Sequence, residues 1–509
     1  MSTSHTPDRE SLPWLTPGPF DGTVCSQAQY ARGIGEALAG TARLWLGAHE
    51  RPELIGPLEC AKPRENACAG CTCARSNAGV REPDPREIAL VVPTSGSTGT
   101  PKSVAHSIQS LKASIHATAY ELGSHGAWML FLPPMHIAGV QVIARASVAS
   151  TLLGLDDHDG LPGALAPLVD LSGHFDATVL TGAMERWDAR VRSDQALADL
   201  PLYTSFVPTQ LERIVSAAEA GDAAVSRALS RFEAVLVGGA ATAPELLDRA
   251  RKLGARIVTT YGSSETAGGC VYNGLPLQGV ELKVNDEDQL MITGPSIALG
   301  YIYETGAFTN VDGNDADSRR RFFSTPELAA TRLLRTSDLA RLTRDKATGL
   351  TRLTILGRAD DVIISGGRKI VPQALERVLE GTGEFREVLV VPVESKEWGQ
   401  MAVALTVPKV EGAMPTQTWT ADLQAQLTVA TTLTDAGFAR HEIPRSVLTT
   451  GALPRLDSGK VDRKAASELA HEALLNIEAF EYAKSLGTRF STDGHHELEF
   501  GGPDEEDNE

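Results

Sequence analysis

Between Ile88 and Thr293 the chain alternates short apolar runs with segments whose apolar residues recur at helical spacing. Ile88–Val92, Trp128–Leu132, Ala234–Val237, Ile257–Thr260 and Leu290–Thr293 are β-rich runs bounded by turn residues, the pattern of buried strands. Ile108–Leu122 carries apolar residues at 108, 111, 115, 119 and 122, one stripe of a helix, and Pro244–Leu253 opens with a proline suited to a first helical turn. Strands alternating with helices predict an α/β fold built in layers.

A second unit begins near Gly357-Arg358-Ala359-Asp360-Asp361. Val362-Ile363-Ile364, a Gly366-Gly367 turn, a helix from Pro372 to about Glu380, and strands over Val388–Val393 and Met401–Val407 follow. They make a small α+β unit of about a hundred residues, within the usual domain range. The expected division is therefore an irregular region over 1–87, packed on or leading into a large domain over 88–359, a small domain over 360–470, and a helix and acidic tail over 471–509. One helix is expected near Gln27–Leu46, and the polar residues 304–330 suggest a long surface excursion.

The formal charge of −18 excludes a partner held by its phosphate backbone or by an anionic membrane surface. Asp8, Arg9 and Glu10 interrupt the amino terminus before any apolar stretch, and Pro133, Pro134, His136 and Arg145 break the most apolar region, Trp128–Leu153. The expected compartment is the cytoplasm, without membrane insertion or nucleic acid. Cys60, Cys68, Cys71 and Cys73 cluster, but Cys71 and Cys73 lie too close for one tetrahedral zinc site, so reduced thiols are expected.

The densest chemistry lies in Thr94-Ser95-Gly96-Ser97-Thr98-Gly99-Thr100-Pro101-Lys102, directly after the first strand. Hydroxyls, glycines that admit close backbone approach, and a terminal cation suit a polyphosphate, whereas a polar surface turn needs no lysine there. The spacing is not that of the mononucleotide-binding P-loop. Gly238-Gly239-Ala240 follows another strand and leaves room for a flat ligand, or is simply a tight turn. Tyr261-Gly262-Ser263-Ser264-Glu265 offers an aromatic face, a hydroxyl for phosphate and a carboxylate for Mg²⁺. Asp338 and Arg358 suit ribose hydroxyls or phosphate, and Lys460 sits on a glycine-bearing turn; each alone is an ordinary surface charge.

In this order the motifs resemble the acyl-adenylate-forming superfamily, from about Ile88 to Lys464. The resemblance implies ATP, Mg²⁺ and coenzyme A, and a large domain hinged to a small one at Asp360. It implies that Thr94, Ser95, Gly96, Ser97, Thr98 and Gly99 with Lys102 embrace the β- and γ-phosphates, and that Tyr261 and the Gly238–Ala240 turn, with Gly262 beside them, sandwich adenine. Ser264 is implied to touch the α-phosphate, Glu265 to bind Mg²⁺, and Asp338 and Arg358 to hold the ribose. Lys460 is implied to serve adenylation, after which the small domain rotates and brings Gly366-Gly367 to a pantetheine channel.

Leu132–Arg145, Tyr203–Leu211 and Gly268–Tyr272 look like the corresponding segments of the o-succinylbenzoate–CoA ligases of menaquinone biosynthesis. That likeness implies an aromatic dicarboxylate as substrate, with Arg145 recognising its ring carboxylate and Ser205, Thr209 and Gln210 adding polar contacts or orienting the loop. Arg145 has an alternative reading as a helix-surface charge. His136 is either a pocket wall or a satisfied core histidine. Met135 and Ser264 depart from the commoner residues of the family. Competing functions are an adenylating ligase for another aryl or fatty acid, with CoA or a carrier protein as acceptor, and a non-catalytic nucleotide sensor, against which Glu265 and Lys460 both argue. The small-molecule acid and CoA are the expected partners; the oligomeric state stays open, a homodimer among the options.

Overall fold

A computed structural model describes residues 12–47, 50–51, 85–94, 102–155, 160–173, 175–305, 308–309, 332–346, 349–409, 419–455 and 461–485. Cys60, Cys68, Cys71 and Cys73, Ser95–Gly99, Lys460 and most of the 304–330 segment lie outside them. The chain divides into two compact units, 1–355 and 356–509, with the boundary one residue before the Gly-Arg-Ala-Asp segment.

The centre of the first unit is a six-stranded sheet in which Ala127–Met129, Leu202–Phe206, Ala234–Val237 and Ile257–Ser263 run parallel. Gly268–Tyr272 and Leu275–Pro276 extend it antiparallel. Successive side chains enter opposite cores: Trp128, Tyr203 and Leu236 face one, Met129, Phe206 and Val237 the other. Burial on both faces is why these strands appear in the sequence as unbroken apolar runs.

Helices Val24–Ala39, Ile108–Leu122 and Ile137–Leu153 contribute to the first core. Ala177–Ser193, Pro208–Glu219, Ala223–Ser230 and Pro244–Lys252 contribute to the second. The Ile137–Leu153 helix is buried for most of its length, including Gln141 and Arg145. Among the described residues, no helix is long and apolar enough to cross a membrane.

A second six-stranded sheet joins Trp14–Leu15, Arg43–Trp45, Leu90–Pro93, Lys102–His106, Gly300–Tyr303 and Phe308–Thr309. The amino-terminal region is thus part of a sheet and not irregular throughout. The helix expected over Gln27–Leu46 ends at Ala39, capped by Gly40 in the left-handed region, and Arg43–Trp45 is a strand buried against Leu90 and Val91. A four-stranded sheet, in the order Glu281–Val284, Gln289–Thr293, Leu333–Arg344 and Thr351–Arg358, carries the chain towards the second unit.

In the second unit Phe385–Ser395 and Gly399–Pro408 form a long antiparallel pair, with Ser446–Thr449 parallel beside it. Pro372–Gly381 and Leu423–Asp435 contribute to the core on one face and Arg463–Ser485 to that on the other. That last helix is continuous through position 470, where the small domain was expected to stop, because Ala466 and Ala470 are fully buried against the sheet.

Candidate active site

Sheet register joins the residues flanking the Ser/Thr/Gly loop to the Tyr-Gly-Ser-Ser-Glu segment. Thr94 closes the loop's base, its N–H and its hydroxyl both donating to the Lys102 carbonyl (3.3 and 3.0 Å). Lys102 starts a strand paired antiparallel with Gly300–Tyr303, which places its Nζ 3.8 Å from the centre of the Tyr301 ring. The Tyr301 hydroxyl in turn donates to Glu265 Oε1 at 2.9 Å. One buried tyrosine therefore holds the loop's cation and orients the carboxylate expected to bind metal.

Four positions further along the strand that begins at Lys102, His106 fixes the same segment. Its Nε2 lies 2.8 Å from the Ser264 carbonyl, which only accepts, so Nε2 carries the hydrogen. Nδ1 lies 3.2 Å from Ser110 Oγ. Complete burial pushes the His106 pKa down to about 4, so the ring is neutral near pH 7.

Tyr261 lies within the strand Ile257–Ser263, half-buried, with its hydroxyl turned to Asp338, donating to Oδ2 at 2.5 Å. Lost solvation first, then the neighbouring carboxylate, raise the phenol well above its usual value, so it stays a donor. The residues expected at adenine and ribose are thus adjacent. Asp338 is itself oriented by its N–H, which donates to Thr336 Oγ1 at 3.1 Å. Gly238 is required to be small: a Cβ there would come within 2.2 Å of Thr260 Oγ1. Gly239 then turns with φ +82°.

For Mg²⁺, Glu265 is a fitting ligand: a half-buried, hard oxygen donor with one oxygen held by the Tyr301 hydroxyl. Among the described residues no group of three or more His, Cys, Asp or Glu could cage an ion. A single carboxylate suits Mg²⁺, which keeps waters and shares substrate phosphates.

The acid-binding residues expected from sequence separate into two groups. Arg145 is 5% exposed, inside the protein and not on the helix surface. Its Nη2 donates to Thr118 Oγ1 and Tyr272 Oη, both at 3.3 Å, and its guanidinium carbon lies 4.8 Å from the Trp128 ring centre. Arg145 Nε is buried and has no hydrogen bond, and no carboxylate of the described residues pairs with it. Burial lowers its pKa from the usual value. Ser205 is buried on the sheet face shared with Tyr203, whose ring packs on Trp128 at 5.1 Å.

Gln210, by contrast, spends both ends of its amide on the backbone. Its Oε1 accepts from the Val207 N–H and its Nε2 donates to the Phe131 carbonyl, so it orients the loop. Thr209 is exposed on the first turn of its helix, and His136 is exposed at the start of Ile137–Leu153, which rules out a buried core histidine. One helical turn before Arg145, Gln141 Nε2 donates to the Ala267 carbonyl at 2.8 Å. It ties the arginine's helix to the residue that follows Glu265-Thr266.

In the second unit Arg358 forms an ion pair with Asp360, the expected hinge residue, at 3.0 Å. Gly366 (φ +55°) and Gly367 (φ +76°) make a two-residue hairpin turn that needs both in the left-handed region. The ends of the segment bearing Lys460 meet where Arg455 and Val461 bridge antiparallel.

Tyr301, His106, Gln141 and Thr118 carry no local signal of these roles; only register and helix packing bring them in. A family model described as AMP-binding enzyme matches residues 45–302. A probable 2-succinylbenzoate–CoA ligase of Mycobacterium tuberculosis H37Rv is 34% identical over 379 residues, covering 74% of this chain and 84% of that protein. The 2-succinylbenzoate–CoA ligase of Escherichia coli K12 is 28% identical over 331 residues, 63% of this chain and 59% of that one. Among solved structures, wild-type E. coli MenE with a bound phenylether-linked analogue of OSB-AMS matches with a TM-score of 0.51 at 26% identity, over 76% of this chain and 70% of that one. The chain belongs to the AMP-binding enzyme family.

Proposed function

We propose that this protein is an ATP-dependent, AMP-forming acid–CoA ligase whose acid is o-succinylbenzoate, in menaquinone biosynthesis. The names of its relatives support the reaction. The observation that carries the acid is Arg145, a buried guanidinium with an orphaned Nε and no carboxylate partner among the described residues. An unpaired buried charge is costly unless something completes it, and a ring carboxylate does so.

The succinyl carboxylate attacks the α-phosphorus of ATP, forming an acyl–phosphate bond as the bond to pyrophosphate breaks. The CoA thiolate then attacks the acyl carbon, and the bond to AMP breaks. Negative charge gathers on the phosphoryl oxygens in the first step, and fixed cations and donors stabilise it. Lys102, braced on Tyr301, and the loop from Thr94 to Gly99 serve the departing phosphates. Glu265, oriented by the Tyr301 hydroxyl, would hold Mg²⁺, which neutralises phosphate charge when bound. Ser264 contacts the α-phosphate, with its backbone held by His106. Tyr261 with Gly238, Gly239, Ala240 and Gly262 receives the adenine, and Asp338 and Arg358 the ribose. Arg145 takes the ring carboxylate and Ser205 lies on the same face, with His136 and Thr209 nearer the surface. Lys460 serves adenylation, Asp360 is the hinge between the large and small domains, and Gly366-Gly367 borders the pantetheine path.

AMP release measured with CoA across a panel of acids tests the reading. Turnover should be strongest with o-succinylbenzoate. Turnover with benzoate or a fatty acid but none with o-succinylbenzoate would reassign the substrate.

A further inference from the structure

Four elements converge on one side chain. Arg145 comes from the Ile137–Leu153 helix, Thr118 from Ile108–Leu122, Tyr272 from the strand Gly268–Tyr272, and Trp128 from Ala127–Met129. The two hydroxyls lie 3.0 Å from each other and each accepts from Arg145 Nη2. Thr118 and Tyr272 are both about 1% exposed, so neither is oriented by solvent.

We propose that Tyr272 and Thr118 are a positioning pair that sets the direction of the Arg145 guanidinium, and with it the preference for an acid bearing a second carboxylate. The proposal rests on the reading of Arg145 given above.

The chemistry of the holders matters. A carboxylate in either place would neutralise the guanidinium internally, and an incoming anion would then gain little. Two hydroxyls and an aromatic face fix the group's orientation yet leave its charge uncompensated. With Nη2 engaged by both hydroxyls, Nε–H is left with its hydrogen bond unmade, a charged donor for one carboxylate oxygen. Side chains on three different packed elements hold that donor more rigidly than a loop would. Thr118 also spaces the pair: a residue without its hydroxyl leaves the Tyr272 hydroxyl with a single partner.

The test compares two acids, o-succinylbenzoate and 4-oxo-4-phenylbutanoate, which lacks the ring carboxylate. In Tyr272→Phe the ratio of kcat/KM for the first acid over the second should fall about tenfold, the size of one hydrogen bond to a charged group, with KM for ATP unmoved. Thr118→Val should lower the ratio in the same direction, and Thr118→Ser, which keeps the hydroxyl, should restore it. These two variants also carry the test if Tyr272→Phe fails to fold. A ratio unchanged in Tyr272→Phe and Thr118→Val, or an equal loss with both acids and ATP, would overturn the positioning role. A wild-type enzyme with no preference between the acids would instead overturn the reading of Arg145, and this proposal with it.

Discussion

Arg145→Met removes a cation and keeps an unbranched side chain that can fill the same space. In the unliganded protein the guanidinium gains two long hydrogen bonds to neutral hydroxyls, at 3.3 Å, and one aromatic face at 4.8 Å. At the low end for charged donors these bonds contribute about 1.5 kcal/mol each. The ring adds about 2 kcal/mol. Against that total of about 5 kcal/mol stands a desolvation cost of several kcal/mol for a buried ion. The terms nearly cancel. The methionine variant should therefore melt within a few degrees of wild type, since about 1 kcal/mol moves the midpoint only ~2–4 °C in a domain of this size. Activity should behave differently. Truncating one member of a buried charge pair costs about 2–5 kcal/mol, on the order of 30- to several-thousand-fold in kcat/KM for o-succinylbenzoate. Differential scanning calorimetry with and without the acid, beside steady-state kinetics, reads both effects. A variant that melts far below wild type, and whose folded fraction keeps its response to the acid, would show that Arg145 is a structural cation and refute the reasoning.

Tyr301→Phe should leave Lys102 on its ring but release Glu265, raising the Mg²⁺ concentration needed for half-maximal rate by about tenfold; an unchanged Mg²⁺ titration would dissociate Tyr301 from the carboxylate. His106 has a folded pKa of about 4 against an ordinary 6.5, so between those values the unfolded chain binds the extra proton and stability rises with pH. Its contribution should be lost as pH falls from about 6.5 to 4, by about 3 kcal/mol, and His106→Gln should flatten that slope in urea unfolding; equal slopes would place the effect elsewhere. Lys460→Ala should abolish ATP–pyrophosphate exchange while sparing thioester formation from preformed adenylate, and equal loss of both would argue against separate roles for the half-reactions.

The parallel strands were legible because burial on both faces writes itself as continuous apolar runs, and Ala234–Val237 is found where those runs place it. The helix Ile108–Leu122 matches for a similar reason: its stripe faces one core, with Leu111 and Ile115 fully buried. The amino-terminal strands were not legible. Trp14–Leu15 and Arg43–Trp45 are two and three residues long, too short for a periodic signal; they exist through pairing, the first with the second and the second with Leu90–Pro93. Likewise the end of the small unit was misplaced because Arg463–Ser485 has no breaker at position 470.

Around the candidate site, residues that carry chemistry in their own type and spacing were visible as candidates in the sequence, among them Tyr261–Glu265 and Asp338, which the structure brings into contact through Tyr261 and Asp338. Those that act by holding others were not. Tyr301 meets Lys102 through a strand pairing across some two hundred residues, and Thr118 and Tyr272 reach Arg145 from different elements. Arg145 itself was ambiguous in the sequence, a helix residue among apolar neighbours; its burial, with no carboxylate partner among the described residues, removes the reading as a surface charge.

The most direct measurement omits CoA. Enzyme mixed with o-succinylbenzoate, ATP and Mg²⁺ should release pyrophosphate in a stoichiometric burst and retain an adenylate whose mass is that of the acid joined to AMP. Addition of CoA should convert it to the thioester with release of AMP. Formation of ADP, or pyrophosphate release without a mass for the mixed anhydride, would contradict the account.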